Sequence, residues 1–278
     1  MGYVGLETLE RIAAVVNRLL NRANLELRQR GKTIPSLMSH MRLDTAGKTV
    51  EFIGTQGIGK SKFNNDLHKF LEGNWFFRAD LCQVGPISDT VSMAEVEELH
   101  RDIYFRKLRH LEKKQTDPWK SITTARQMSK VISESLTVLS NDFPRGFFLD
   151  EGLFKNFPRE VLKLGSESAE PLWTNRALIY LRAHEPEFVV SRYRGRVAER
   201  SLRGLPQRPP SDNEVRERIV YDNDLFDRIV DQARAFDCPV IVIYAEDNYQ
   251  ESIGKVLDFE RKLRTEVWPN SRRYLPQI

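Results

Sequence analysis

Cysteine is scarce in this chain: two in 278 residues, Cys82 and Cys238. They lie far apart and match no metal or redox spacing, which excludes a disulfide framework and a thiolate metal site. Both border apolar runs and read as small buried residues. The five histidines, His40, His68, His100, His110 and His184, form no metal-ligand spacing either. No stretch reaches the ~18 apolar residues a spanning helix needs. The N-terminus is amphipathic and has no signal-peptide core. Internal repeats and low-complexity tails are absent. By elimination, these absences predict a cytoplasmic protein with no membrane partner.

The remaining composition is ordinary for a globular protein, at 40% hydrophobic and 29% charged. The formal net charge is only +4, but it is unevenly spread. From Arg192 to Arg208 there are six arginines, no lysine and one acid, Glu199. That is a local anion-binding signal.

The richest segment is Val50-Glu51-Phe52-Ile53-Gly54-Thr55-Gln56-Gly57-Ile58-Gly59-Lys60-Ser61. An apolar strand runs into G-x-x-x-x-G-K-S, and an amphipathic helical pattern follows, which is the context of a phosphate-binding P-loop. Glycines let the backbone close around an anion, and the loop amides and helix N-terminus face the phosphates. Gly54, Gly57, Ile58, Gly59, Lys60, Ser61 and Lys62 are the expected nucleotide-contacting set. Lys60 is expected to reach the β- and γ-phosphates and Ser61 to hold Mg²⁺. The ligand class is a nucleoside triphosphate with Mg²⁺, and ATP is the expected donor. The alternative is a glycine-rich surface turn.

A regular order surrounds this motif. Leu6, Leu9, Ile12, Val16, Leu19, Leu20, Ala23 and Leu27 predict a helix over 5–30, packed on the core or on a partner. A homodimer is compatible with that reading. Residues 32–48 read as a connector. Strands are expected at 49–53, 75–79, 146–149, 177–181 and 239–244. Helices are expected at about 60–72, 92–115, 118–141, 212–236 and 250–265, with Asp117 capping the third of them. Short apolar strands separated by helices indicate an α/β fold, a parallel sheet covered on both faces. Residues 1–46 form a helical extension and 47–278 the main domain.

Ligands in such sheets sit at the carboxyl ends of the strands. That rule selects Asp80, Asp150, Glu151, the arginines after the fourth strand, and Ala245 to Asn248 after the fifth. Asp150, following Phe147-Phe148-Leu149, is placed to hold Mg²⁺; the alternative is a turn cap. Asp80 is placed to accept a proton from an attacking hydroxyl, with Glu151 as its rival; the alternative is an Asp bonded to its own backbone. Arg192, Arg194 and Arg196, with Gly195 among them, read as a lid over about 192–210 whose guanidinium forks complement transferring phosphate. Few apolar residues hold that segment, which predicts mobility. The alternatives are a solvated basic face or a nucleic-acid contact. Nucleic acid is not favoured, because a nucleic-acid arm would often mix lysine with arginine and continue to a terminus. Arg126 and Lys130 lie one turn apart and read as a solvated face.

The order GTQGIGKS, a strand ending in Asp80, GFFLDEGLF, ALIYLRA, an arginine-rich segment and a last apolar strand resembles the nucleoside and nucleotide kinase-like branch of P-loop proteins. That branch includes thymidylate, deoxynucleoside and several small-metabolite kinases. The resemblance covers about 49–265. It implies a parallel five-stranded sheet, an ATP site at its carboxyl edge and a mobile lid. It also implies a lid arginine on the adenine and others on the phosphates, matched here by Arg192 and by Arg194 or Arg196. The loop after the last strand, with Asp247 and Asn248, is the matching adenine contact. The sequence departs from the branch at the acceptor site. Asp150-Glu151-Gly152-Leu153-Phe154 replaces the Asp-Gly-Phe-Pro-Arg of nucleoside monophosphate kinases. The Glu after strand two and the Asp-Arg-Ser after strand three of deoxynucleoside kinases are also missing. The expected activity is therefore phosphoryl transfer from ATP to a small acceptor: a nucleoside, nucleotide, sugar or other metabolite. Two rivals stand beside it: a P-loop switch or motor, for which no Asn-Lys-x-Asp motif is present, and an ATP-regulated polymer binder.

Overall fold

The computed structural model describes residues 44–71, 73–81, 94–114, 118–140, 143, 145–202 and 210–265. The helix expected over 5–30, most of the connector, Cys82 and the Asp117 cap lie outside them.

Five strands form one sheet: β1 (Thr49–Ile53), β2 (Trp75–Phe77), β3 (Gly146–Leu149), β4 (Arg176–Arg182) and β5 (Val240–Tyr244). The spatial order is β2-β3-β1-β4-β5, and every neighbouring pair is parallel. Parallel neighbours need crossovers, and the helices supply them. They are α1 (Lys60–Leu71), α2 (Arg78–Leu81), α3 (Ala94–Lys114), α4 (Pro118–Ser140), α5 (Leu153–Asn156), α6 (Pro158–Val161), α7 (Ser166–Trp173), α8 (Pro186–Leu202), α9 (Asp212–Ala235) and α10 (Tyr249–Thr265). No described helix is long and apolar enough to cross a membrane.

The strands read as continuous apolar runs because both faces are covered. On one face Val50, Phe52, Trp75, Phe148, Ile179 and Leu181 pack with Leu67 of α1, Val189 of α8 and Val256 of α10. On the other, Ile53, Leu178 and Tyr180 pack with Ile103 of α3, Val131 of α4, Phe154 of α5 and Phe226 of α9. Phe52, Phe148 and Leu178 are wholly buried; truncating such a phenylalanine to alanine costs about 3–5 kcal/mol. Cys238 is a free thiol, buried as expected.

Three expectations are corrected. Strand β2 stops at Phe77, and Asp80 lies in the first turn of α2, where its carboxylate accepts the Phe77 amide at 2.7 Å. That bond satisfies an amide at a helix start and turns the chain out of the sheet. Next, residues 192–202, for which no helix was expected, form the C-terminal part of α8, whose Val189 and Val190 are buried. The two valines precede the arginines, so a window drawn around the arginines missed the anchor. Finally, residues 153–173 hold three short helices, α5, α6 and α7, that were not expected. Their apolar residues come in runs too short to show a 3.6-residue period.

One buried polar pair interrupts the second face. Glu51 in β1 and Arg176 in β4 are 0% and 1% exposed, 3.5 Å apart. Burial raises the Glu51 carboxyl to about 7, against the opposing pull of Arg176 and the amides of residues 153–155. Its folded pKa lies above its unfolded value of 4.5, so this group's contribution to stability is full below about 4.5 and is lost as pH rises to about 7. His100, buried and lowered to about 4, has the opposite slope over part of that range. The two are separated by comparing variants. The melting temperature of Glu51→Gln minus that of the wild type should rise steadily between pH 4.5 and 7. A difference independent of pH would refute the raised carboxyl.

Candidate active site

Strand β1 delivers the loop 54–59 to the carboxyl edge of the sheet, and α1 carries the chain away from it. Gly54, Gly57 and Gly59 take φ values of 135°, 92° and 111°, which favour glycine. At Gly59 space matters too. A Cβ there would stand 2.8 Å from the Arg192 guanidinium, so a larger residue would push that arginine from its present place.

Lys60 is 8% exposed, and its Nζ donates to the carbonyls of Gly54 and Thr55 at 2.8 and 2.7 Å. Burial lowers its pKa to about 7, Lys155 lowers it further, and Glu151, Asp222 and Asp150 oppose the shift. A cation at such a cost needs an anion facing it. Thr55 Oγ1 donates to Asp222 of α9 at 2.7 Å, tying the loop to that helix. Ile58 is buried, whereas Ser61 and Lys62 are exposed at the first turn of α1. Lys62 Nζ stands 4.7 Å over the Tyr249 ring.

Asp150 and Glu151 follow β3 beside this loop. Burial raises the Asp150 carboxyl, while Arg78 draws it down. Arg78, the first residue after β2, links the acids. It contacts Glu134 of α4 at 3.0 Å, Glu151 at 3.4 Å and Asp150 at 3.9 Å. Burial acts to lower the Arg78 pKa, but the three carboxylates outweigh it and the net shift is upward. Asp80 is committed to the Phe77 amide.

The arginines of α8 divide. Arg192 donates from Nη1 to the Ile58 carbonyl at 2.6 Å and lies 4.6 Å over the Phe188 ring. Burial, then the Arg196 charge, lowers its pKa. Arg194 turns the other way and pairs with Asp212 at the start of α9. Arg196 is exposed. After β5, Asn248 Oδ1 accepts the amides of Gln250 and Glu251 at 2.9 and 3.2 Å, capping α10, and Asp247 pairs with Lys255 at 3.2 Å. Lys130 contacts Glu134 at 3.7 Å, and Arg126 is exposed.

Sequence reasoning missed several members of this site. Arg78 is the first residue after β2, so the rule that selected Asp80 would have found it had β2 been ended at Phe77. Lys155 and Asp222 reach Lys60 only through folding. Arg218 of α9 lies 5.7 Å over the Tyr193 ring, with Nε and Nη2 buried and without hydrogen-bond partners. Tyr193 Cδ2 stands 3.9 Å from where a Gly57 Cβ would be, so Arg218 packs on a ring that neighbours the loop. Nothing in the helical pattern of α9 marked it.

No protein-family model matches the chain, and no curated protein matches it. Among solved structures it is similar to deoxyadenosine kinase from M. mycoides in three states. With the products dCMP and dCDP the identity is 15% and the TM-score 0.40; with dATP, 15% and 0.38; with dCTP, 14% and 0.40. Each likeness covers 77% of this chain and 99% of the other.

The state of Lys60 yields a measurable consequence. Above pH 7 the amine is largely neutral, and a phosphate chain would restore its charge. ATP binding at pH 8 should therefore take up about one proton, and at pH 6 almost none. Calorimetry in buffers of different ionisation enthalpy reads this directly. Lys60→Ala should abolish ATP binding while leaving a cooperative melt. Unchanged affinity in that variant would remove the loop from nucleotide binding.

Proposed function

We propose that the chain is an ATP-dependent phosphotransferase acting on a small hydroxyl- or phosphate-bearing acceptor. The observation that carries the reading is the position of Lys60. It is buried in a left-handed glycine loop, covered by Arg192 and opposed by Asp150 and Glu151 at the carboxyl edge of a parallel sheet. The loop amides, Lys60 and Arg192 bind the triphosphate.

The residues present fit Mg²⁺. Ser61 offers an exposed hydroxyl at the start of α1, and Asp150 a carboxylate following β3. Among the described residues no group of three or more His, Cys, Asp and Glu could hold a metal by itself. That suits an ion completing its shell with phosphate oxygens and water. When bound, the ion would neutralise charge on the phosphates.

We assign proton acceptance to Glu151. Its side chain is 43% exposed and oriented by Arg78, whereas an oxygen of Asp80 already accepts a backbone amide. Arg192, at the start of the expected lid of about 192–210, holds the loop, and Arg194 and Arg196 lie further along α8 within that lid. Residues 203–209 of that lid lie outside the described residues.

An ATP-consumption screen over nucleosides, nucleotides, sugars and cofactor precursors tests the activity. With an acceptor in hand, Glu151→Gln should lower kcat by about 10²–10⁴-fold with little change in ATP affinity. Asp150→Asn should reduce turnover far more than nucleotide binding. Asp80→Asn should leave kcat within about threefold unless α2 unravels. A silent Glu151→Gln beside a severe Asp80→Asn would return the base to Asp80.

The lid is tested by limited proteolysis after arginine. Cleavage should concentrate beyond Arg196 in the free protein and be suppressed by ATP with acceptor. Protection that is equal with and without ligand would make this segment an ordinary basic surface.

A further inference from the structure

A carboxylate stands where sheet packing has least use for one. Glu51 is the third residue of β1, wholly buried, on the face it shares with Ile53 and Leu178. Its Oε1 accepts the Lys155 amide at 2.9 Å, and the amides of Phe154 and Leu153 are directed at the same group. Arg176 Nη1 stands 3.5 Å from Oε2, and Arg176 Nη2 donates to Ser135 Oγ at 2.8 Å. The Ser135 hydroxyl lies 2.9 Å from His100 Nε2. Gly152 packs so closely on the carboxylate that a Cβ there would meet Oε2 at 2.4 Å. Residues 152–155 are thus folded around the Glu51 side chain, and they continue directly from Asp150 and Glu151.

We infer that Glu51 is a positioning residue for the nucleotide site. Its carboxylate fixes the turn from Gly152 to Lys155 and, through it, the placement of Asp150 and Glu151 opposite Lys60. This inference rests on the phosphotransferase reading, since it gives the turn a task at the metal and the acceptor.

A core role alone is a poor explanation of these contacts. Burying a carboxylate costs stability that an apolar residue of similar size would not. The amides of a one-turn helix need an acceptor, and Glu51 meets that need from another strand. Arg176 holds it from the β4 side. The groups facing it are Arg176 from β4, Cys238 from the segment before β5, and the backbone amides of Leu153, Phe154 and Lys155, while His100 from α3 acts on Arg176.

The test compares the wild type with Glu51→Gln and Glu51→Asp by ATP titration calorimetry, with and without Mg²⁺. In Glu51→Gln, ATP affinity without Mg²⁺ should stay within about twofold. The gain in affinity that Mg²⁺ confers should shrink by about tenfold, the usual scale for groups that orient a metal ligand. Glu51→Asp should recover part of that gain. Once an acceptor is known, kcat should fall in the same order while the KM for ATP is retained. An undiminished Mg²⁺ gain in Glu51→Gln would overturn the inference and leave Glu51 as a core residue. If neither variant folds, Gly152→Ala decides, because it pushes the turn off the carboxylate and leaves Glu51 and Arg176 in place. A wild-type Mg²⁺ gain in Gly152→Ala would then overturn the inference, and a diminished one supports it. Failure of the wild type to bind ATP at all would instead overturn the nucleotide reading on which the inference rests.

Discussion

Strand β1 is hydrogen-bonded along both edges. It pairs with β3 from Thr49 to Glu51 and with β4 along its whole length, and all its residues are buried. A strand held this way has one register, because a one-residue slip would turn Val50 and Phe52 to the wrong face. The loop that follows inherits that certainty. Gly54 leaves the sheet at a fixed point, and Lys60 begins α1 from a fixed point. The carboxylates after β3 emerge one strand away, at a level set by the pairing of Glu51 with Leu149. The placement of the loop opposite these carboxylates, across two strand ends, is a consequence of ladder register here, before any side chain contributes.

Helix α9 braces the same edge from the other side. Asp222 accepts from Thr55 in the loop, Asn223 Nδ2 donates to the Ala183 carbonyl at 2.8 Å, and Asp227 receives Arg182 in a forked pair at 3.0 Å. Asp222 and Asn223 are neighbours in sequence, and Asp227 lies about one turn further along the helix. Its start is secured by the reciprocal bonds of Ser211 and Glu214, a capping box. The brace and the sheet together explain why Lys60 tolerates burial: neighbouring carboxylates are supplied from two independent elements.

Much of this was legible in the sequence because the signals were local. An apolar run before Gly54, a helical pattern after Lys60, and the sheet-forming runs at 146–149 and 240–244 need no partner to be recognised. Asp150 and Glu151 followed from the rule for strand ends. What escaped notice was non-local or masked by a stronger local feature. Arg78 was absorbed into an overlong strand because nothing in Trp75-Phe76-Phe77-Arg78-Ala79 shows that the Asp80 carboxylate would turn back on Phe77. Glu51 looked like an ordinary polar residue of a strand, since the amides and the Arg176 guanidinium that occupy it lie about a hundred or more positions downstream. Lys155, Asp222 and Arg218 belong to elements whose periodicity reports packing and says nothing of charge.

Helix α8 is fastened in two different ways along its length. Near its start Val189 and Val190 sit in the core and Arg192 grips the loop carbonyl. Alongside, it is joined to α9 by shared core packing of Val189 and Val190 with Val215 and Ile219, by Arg218 over the Tyr193 ring, and by the exposed pairs of Arg194 with Asp212 and of Glu187 with Arg216. Exposed pairs of this kind hold weakly and weaken further in salt. The helix thus combines an apolar seat, which is insensitive to salt, with ionic ties that salt screens. Ionic strength therefore acts on one set of these fastenings and leaves the other, with the fold beneath it, untouched.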